Sequence, residues 1–490
     1  MKRFKKVFIL LGVVAAVCIA TVIVTHIEEK KEQIQNTDEV IISVDPDSVT
    51  SLAWEYDDIA LSFSKNDVWQ WDEDAAFPVN EGKIIDLLGI FEDFGAAFII
   101  EDVEDFDQYG LEDPTCTIRF ATEQESYEVV LGAYSTMDSQ RYVSIGDGNV
   151  YLVKTDPFDS YEIELSDTFL YDDIPIFDNP TAITFDGTEN YTITYEEEST
   201  ATYCASDLYF TQKDGKTVPL DTYRVLDYCT DISLLGLKNY VSYNVSEEEL
   251  AAWGLDTPTL NITVDYTVTD KDKDGNETET PETFVLHIGR NQEELAAKEE
   301  AEAAALAAEK AGEEPETDPD TMSVTAYARV GDSQIVYEIS KTDYSTLSAI
   351  AYNDLQHTEV LTADFADVTQ IDIALDGQDY IITSEIPEDS KEEEPDRVYS
   401  FNGEEITVTN LRSKISALSV NSFTEDIPES KEEISLIFYL ENENYPQVKV
   451  TLYRFDGTNC LAVVDGETLG LVSRSSVVDL IEAVNSIILG

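Results

Sequence analysis

The stretch YGLEDP, residues 109 to 114, returns as WGLDTP, residues 253 to 258, and a chain that spells one turn twice is built on an internal repeat. Each copy closes a short helical signal. Asp102 with Asp105, and Ser246 with Glu249, stand at N-cap spacing, the second as a capping box, so a helix of about two turns is predicted to lead into each turn. Gly110 and Gly254 then fall where a helix ends on one left-handed residue, a conformation glycine adopts without a Cβ clash. In that geometry Leu111 should pack on Phe106 and Leu255 on Leu250, while Pro114 and Pro258 keep the helix from resuming. Neither copy holds a nucleophile, a base or a set of metal ligands. The turn is a joint in the fold.

Extending the match outward finds a larger unit. Residues 67 to 94 read as strand, turn, then helix, and residues 207 to 232 and 397 to 418 repeat the pattern. The helical stripes are Ile84, Leu88, Phe91 and Phe94; Val225, Leu226, Cys229 and Ile232; and Leu411, Ile415 and Leu418. Downstream come four alternating runs: TIRFAT, YEVVLG, RYVSIG and VYLVKT in the first copy, NITVDY, FVLHIG, TAYARVG and IVYEIS in the second, ISLIFYL, QVKVTLYRF, CLAVVDG and TLGLVS in the third. Period-two alternation with Gly or Asp between runs predicts antiparallel meanders. A closing helical segment follows, as in TDYSTLSAIAY before residue 353 and SSVVDLIEAVNSIIL at the C-terminus. The predicted fold class is α+β, three tandem repeats of an antiparallel sheet covered on one face by helix, at residues 47–175, 176–360 and 361–490.

The third copy diverges, with SFTEDIPESKEE at residues 422 to 433 in place of the glycine joint. The second is lengthened by insertions at residues 269–282 and 291–321. The later insertion is rich in Ala and Glu, pairs Glu294 with Lys298 at i,i+4, and lacks a large apolar face, so a helix projecting into solvent is predicted. Residues 386–396 are predicted to be an acidic loop.

Residues 7–25 carry no charge and would span about 28 Å as a helix, enough to cross a bilayer. Lys2, Arg3, Lys5 and Lys6 put residues 1–6 in the cytoplasm by the positive-inside rule. The expectation is an N-terminal transmembrane helix, an uncleaved single-pass anchor, with residues 26–46 a juxtamembrane linker and the modules extracytoplasmic. A cleaved signal peptide or lipoprotein signal fits less well, because Val17 precedes Cys18 where a small residue belongs. Beyond the anchor, 26 basic groups face 101 acidic ones, a formal charge of −75. Such a surface repels nucleic acid and anionic lipid, and attracts cations and basic partner faces. A hydrophobic content of 43% excludes disorder as the cause of that acidity.

Candidate chemistry is sparse. The three histidines, His26, His287 and His357, are dispersed, and no nucleophile elbow, phosphate loop, dinucleotide fingerprint or zinc-protease motif is present. No catalytic, cofactor-binding or metal-ligating residue is therefore assigned. His287 reads as a strand residue. Asp270 to Gly275 begins like a calcium loop, but its twelfth position is Pro281, with the acid displaced to Glu282, so a solvated hairpin tip is the better account and calcium stays open. Tyr56, Trp69, Trp71 and Tyr209 read as core or strand residues rather than a recognition surface. Cys116, Cys204, Cys229 and Cys460 read as buried thiols, with a Cys204–Cys229 bridge left open.

The anchor, the tryptophan-proline-helix opening of the first copy, YGLEDP, and the strands containing VVLG, YV and VYLV together resemble a bacterial domain-of-unknown-function family, number 4340. The likeness is strong over residues 67 to 155, fair over 207 to 340 and weak after 370. It implies a membrane-anchored envelope protein, often beside ABC-type transporter auxiliary proteins of the gliding-motility kind, and it brings no site residues. The expected function is that of a non-enzymatic, extracytoplasmic binding or accessory protein, with an ABC-type permease or its auxiliary subunits as the suggested partner. A cell-wall or surface adhesion module, cation-dependent or not, and an envelope hydrolase are the alternatives.

Overall fold

The computed structural model describes residues 33–489 apart from 313, 316 and 388–395. The expected anchor over residues 7–25, the cytoplasmic residues 1–6 and most of the loop at 386–396 lie outside them. Among the described residues no helix is long and apolar enough to cross a membrane. The chain divides into two compact units, one ending at Tyr171 and the other beginning at Asp172. The first holds one antiparallel sheet and the second holds two.

The three sheets share one topology. In the first, strands Val49–Tyr56, Ile59–Lys65 and Trp69–Trp71 precede helix Glu81–Gly89, edge strand Phe94–Glu101, and a meander of Cys116–Thr122, Ser126–Ser135, Gln140–Ser144 and Val150–Val153. The meander's first strand pairs with Val49–Tyr56 and its last with Phe94–Glu101, so the sheet is assembled from both sides of the helix. The second sheet repeats this with Pro180–Asp186 beside Leu260–Lys271, helix Thr222–Ser233, and edge strand Tyr240–Ser242 on Val336–Ile339. The third does so with Val368–Leu375 beside Glu432–Leu440, helix Thr409–Ser416, and Val420–Phe423 on Glu467–Ser473. The second and third have nine strands in one order. In the first, Gln33–Asn36 and Val40–Ile42 add to the edge strand, so this part of the expected linker at 26–46 belongs to the sheet.

Local sequence explains the hairpins. Asp214-Gly215, Asp376-Gly377, Asn402-Gly403 and Asp465-Gly466 each place two consecutive residues at positive φ, the backbone of a tight turn whose twist matches the strands. Alternation then puts one side of every strand in the core. In the first sheet Leu52, Trp54, Phe63, Ile118, Phe120, Val129 and Leu131 are buried with Ile84, Leu87 and Leu88 of the helix. Each such side chain contributes about 1.5–3 kcal/mol. Helical segments close the same face: Tyr161 Oη donates to Leu87 O at 3.0 Å, and Tyr228 Oη donates to Leu347 O at 2.8 Å. In the third copy Leu411 and Ile415 share a core with Val477, Leu480 and Val484 of the C-terminal helix Arg474–Ile488.

Both glycine joints have the predicted geometry. Gly110 and Gly254 lie at φ +70° and +67°. Leu111 N–H donates to Phe106 O at 3.2 Å and Gly110 N–H to Asp107 O at 2.9 Å; Leu255 N–H donates to Leu250 O at 2.8 Å and Gly254 N–H to Ala251 O at 3.2 Å. The apolar pairs Phe106 with Leu111 and Leu250 with Leu255 pack in their own small clusters. The preceding helices differ. Ser246 and Glu249 form the capping box of helix Glu247–Ala252, whereas the first joint is preceded only by a single 3-10 turn, Asp107–Tyr109. Asp105 accepts from the Asp107 N–H at 3.1 Å, and Asp102 lies at φ +58°, outside the extended backbone an N-cap needs, so the two-turn helix expected from Asp102 does not form.

The insertions are more regular than their sequence suggests. Residues 269–282 continue the paired strands, with Thr269 opposite Glu279 and Lys271 opposite Glu277. Gln292–Ala311 is a 20-residue helix with no buried residue. Its ion pair is Lys298 with Glu302 at 3.9 Å, not Lys298 with Glu294, because the Glu294 carboxylate turns back to accept from Thr325 N–H at 2.6 Å.

Candidate functional site

His357 stands on the connector between the second and third sheets, and four groups converge on it. The connector is fixed on the third copy by Val360 N–H donating to Leu418 O at 3.0 Å and Val420 N–H donating to Thr358 O at 2.7 Å, with Glu359 bridged to Ser419. On the second copy, Asp221 caps helix Thr222–Ser233: its Oδ1 accepts from Tyr223 N–H at 3.0 Å and Arg224 N–H at 3.4 Å. Capping commits Oδ1 and leaves Oδ2 turned toward the connector. Asp207 sits on a turn after Cys204, is 4% exposed, and accepts from the Thr202 hydroxyl.

The imidazole has two unlike sides. Nε2 is 2.7 Å from Asp207 Oδ1. Nδ1 is 3.8 Å from Glu359 Oε2 and 4.0 Å from Asp221 Oδ2, both beyond hydrogen-bond reach. Burial by itself lowers the His357 pKa, but the hydrogen bond to Asp207 and the charges of Asp207, Asp221 and Glu359 outweigh it and leave the value raised. Donor atoms of Cys204, Asp207 and His357 form one mutually close group, and those of Asp221, His357 and Glu359 another, each within 4.8 Å.

Cys204 does not complete a nucleophilic triad. Burial pushes its thiol pKa up and Asp207 adds to that, whereas an attacking cysteine needs its pKa lowered. The imidazole nitrogen on that side is engaged by Asp207, and the Cys204 Sγ lies 3.1 Å from Ser206 Oγ. The cluster can therefore hold a proton or a cation. It is not arranged to activate the thiol.

The sequence places His357 and Asp207 150 residues apart, and treating the histidines as dispersed missed their convergence with Asp221 and Glu359. The readable signals were Asp221 at a helix start and the His-x-Glu spacing of the connector. The other candidates resolve as structure. The Asp272 carboxylate accepts from Asp274 N–H at 2.8 Å and from Asn276 N–H at 2.9 Å, so it closes its own turn. His287 Nδ1 lies 2.6 Å from Asn261 Oδ1, and burial, helped by the charge on Arg329, lowers its pKa. Tyr56, Trp69 and Tyr209 are buried, and Trp71 is half-buried. Cys116, Cys204, Cys229 and Cys460 are free and buried, with no Cys204–Cys229 bridge.

No curated protein and no solved structure matches the chain. One family model does, over residues 69–258, from strand Trp69–Trp71 of the first sheet through the second glycine joint. Over that stretch, which includes both joints, the chain matches the model of the family described as a domain of unknown function, DUF4340.

Proposed function

We propose that this chain is a non-enzymatic extracytoplasmic binding or accessory protein, anchored in the membrane through residues 7–25, that presents modules 47–175, 176–360 and 361–490 to a partner of an ABC-type transport system. The observation that carries this reading is the open face of each sheet. The longer helices cover one side, and the other, which also carries the glycine joints of the first two copies, displays acid in every copy: Glu55 and Glu128 paired with Arg119 in the first, Asp265 in the second, Asp372 in the third. A broad, hydrogen-bonded sheet surface suits a macromolecular partner with a basic face better than a small substrate held in a cleft.

The test is crosslinking in membranes of the native host followed by purification of the full-length chain. Enrichment of an ABC-type permease or its auxiliary subunits supports the accessory role. Retention on isolated wall material, reversed by chelator, with no permease enriched, replaces it with the second reading, cation-dependent adhesion, which the donor atoms around His357 favour. Release of soluble wall fragments would replace both with a hydrolase.

A further inference from the structure

We propose that His357, Asp221 and Glu359 form a binding site for a divalent transition-metal cation of the zinc type, with Asp207 as the carboxylate that orients the histidine from behind. The inference is independent of the accessory role and leaves that role standing if it fails.

The geometry points to the Nδ1 side of the ring. Asp207, itself nearly sealed from solvent, accepts from Nε2 at 2.7 Å, which leaves the Nδ1 lone pair facing Glu359 and Asp221. Metal-bound histidines are held this way, with the far nitrogen donating to a carboxylate that fixes ring and tautomer. The facing atoms are 3.8 and 4.0 Å from Nδ1. Two donors about 2.1 Å from one tetrahedral ion lie about 3.4 Å apart, so a contraction of about half an ångström brings each carboxylate to ligand spacing from Nδ1, and the two carboxylate oxygens lie within 4.8 Å of each other. Glu359 Oε2 is shut off from solvent and has no hydrogen-bond partner, although its side chain is 44% exposed. His357 Nδ1 at 3.8 Å is too far to supply the hydrogen bond that a buried carboxylate oxygen ordinarily has. The remainder of the side chain opens to water, where a fourth ligand can enter.

Charge supports the same conclusion. Asp207, Asp221 and Glu359 face His357, and Arg224 Nε, 3.4 Å from Asp221 Oδ2, is the neighbouring cation. With a protonated histidine and no metal, these five groups sum to −1. With a neutral histidine and a divalent ion they sum to zero. An ion there would tie the helix of the second copy to a connector already bridged to the third.

The alternative donor group, Cys204 with Asp207 and Nε2, would require breaking the Asp207 hydrogen bond. The experiment separates the two. The full-length chain in detergent, stripped with chelator, is titrated with Zn2+ against a chromophoric competitor, with Ca2+ and Mg2+ in excess to saturate the acidic skin. One tight equivalent is expected. Glu359→Gln and His357→Gln should lose it by 100-fold or more, and Asp221→Asn should weaken it while still capping its helix. Asp207→Asn should weaken it about 10- to 100-fold, and Cys204→Ser should leave it unchanged. Co2+ in the site should show no thiolate charge-transfer band. Absence of an equivalent that survives Ca2+ and Mg2+, or retention of Zn2+ by a folded Glu359→Gln chain, overturns the proposal. So does loss in Cys204→Ser together with a thiolate band from Co2+.

Discussion

Replacing Gly132 by alanine should damage the first unit more than replacing a glycine that needs its left-handed backbone. Gly132 lies in the second meander strand, directly beneath the first joint, and a Cβ there would sit 2.2 Å from Tyr109 O and 3.1 Å from two carbons of Leu111. Carbon and oxygen atoms in ordinary contact are about 3.5 Å apart, so the joint would have to retreat by more than about 1 Å. That movement is opposed by the hydrogen bonds closing the turn at Phe106 and Asp107. Overpacking costs about 1–3 kcal/mol, and a pinned backbone oxygen argues for the upper end. At about 2–4 °C per kcal/mol for a unit of this size, 3 kcal/mol lowers the melting temperature by about 6–12 °C. Gly146 is the control: its φ is +81°, but nothing lies within 4 Å of its added Cβ, so Gly146→Ala should cost only about 1 kcal/mol. The second unit offers the same comparison, because a Cβ at Gly289 would sit 2.3 Å from Trp253 O. Calorimetry of the full-length chain reads both units. If Gly132→Ala costs no more than Gly146→Ala, or Gly289→Ala is tolerated where Gly132→Ala is not, the shared crossing is not what holds these modules.

Other perturbations test separate features. Arg141 and Asp156 form a buried pair, with Nε 2.7 and 2.8 Å from the two carboxylate oxygens and side chains 8% and 9% exposed, so Asp156→Ala should cost about 3–5 kcal/mol in urea unfolding, and replacing both by leucine should cost less. The lowered pKa of His287 means the unfolded chain binds the proton more tightly, so its contribution is complete above the unfolded value near 6.5 and is lost as the pH falls toward the folded one. Denaturation midpoints of the second unit should therefore decline below pH 6.5 less in His287→Gln than in the native chain. Burial raises the thiols of Cys116 and Cys229 to about 12 and that of Cys460 to about 11, so alkylation at pH 8 with peptide mapping should leave them unmodified until denaturant is added. Residues 270–278 are exposed, and replacing them with Asn-Gly between Thr269 and Glu279 should change stability by no more than about 0.5 kcal/mol.

Where one local rule decided the outcome, the sequence was readable. Alternation located all four meander strands in each copy, and the two glycine joints came from spacing alone. The failures have physical causes. The helix expected from Asp102 does not form because Asp102 takes a left-handed backbone, φ +58°, where an N-cap is extended, and only the 3-10 turn Asp107–Tyr109 follows. The strands at 33–36 and 40–42 were hidden because three- and four-residue runs carry almost no periodicity, and only an unpaired edge elsewhere recruits them. The His357 cluster depends on a connector crossing between copies, which no pattern within one copy encodes.

The glycines beneath the two joints were also missed, and the third copy lacks the joint and the glycine together. In the first two copies a glycine corner crosses the second meander strand so closely that this strand needs its own glycine, Gly132 or Gly289. The third copy runs from 424 to 431 without a helix, and its corresponding strand, Gln447–Arg454, contains no glycine. Its strand glycine is Gly470 in the last strand, where a Cβ would meet Val420 Cγ1 at 2.4 Å and Ser422 O at 2.6 Å on the strand paired beside it. In the first two copies a lone glycine inside a strand of β-branched and aromatic residues marks where another backbone passes over the sheet. There the crossing fastens the joint, with its own apolar cluster, onto the sheet.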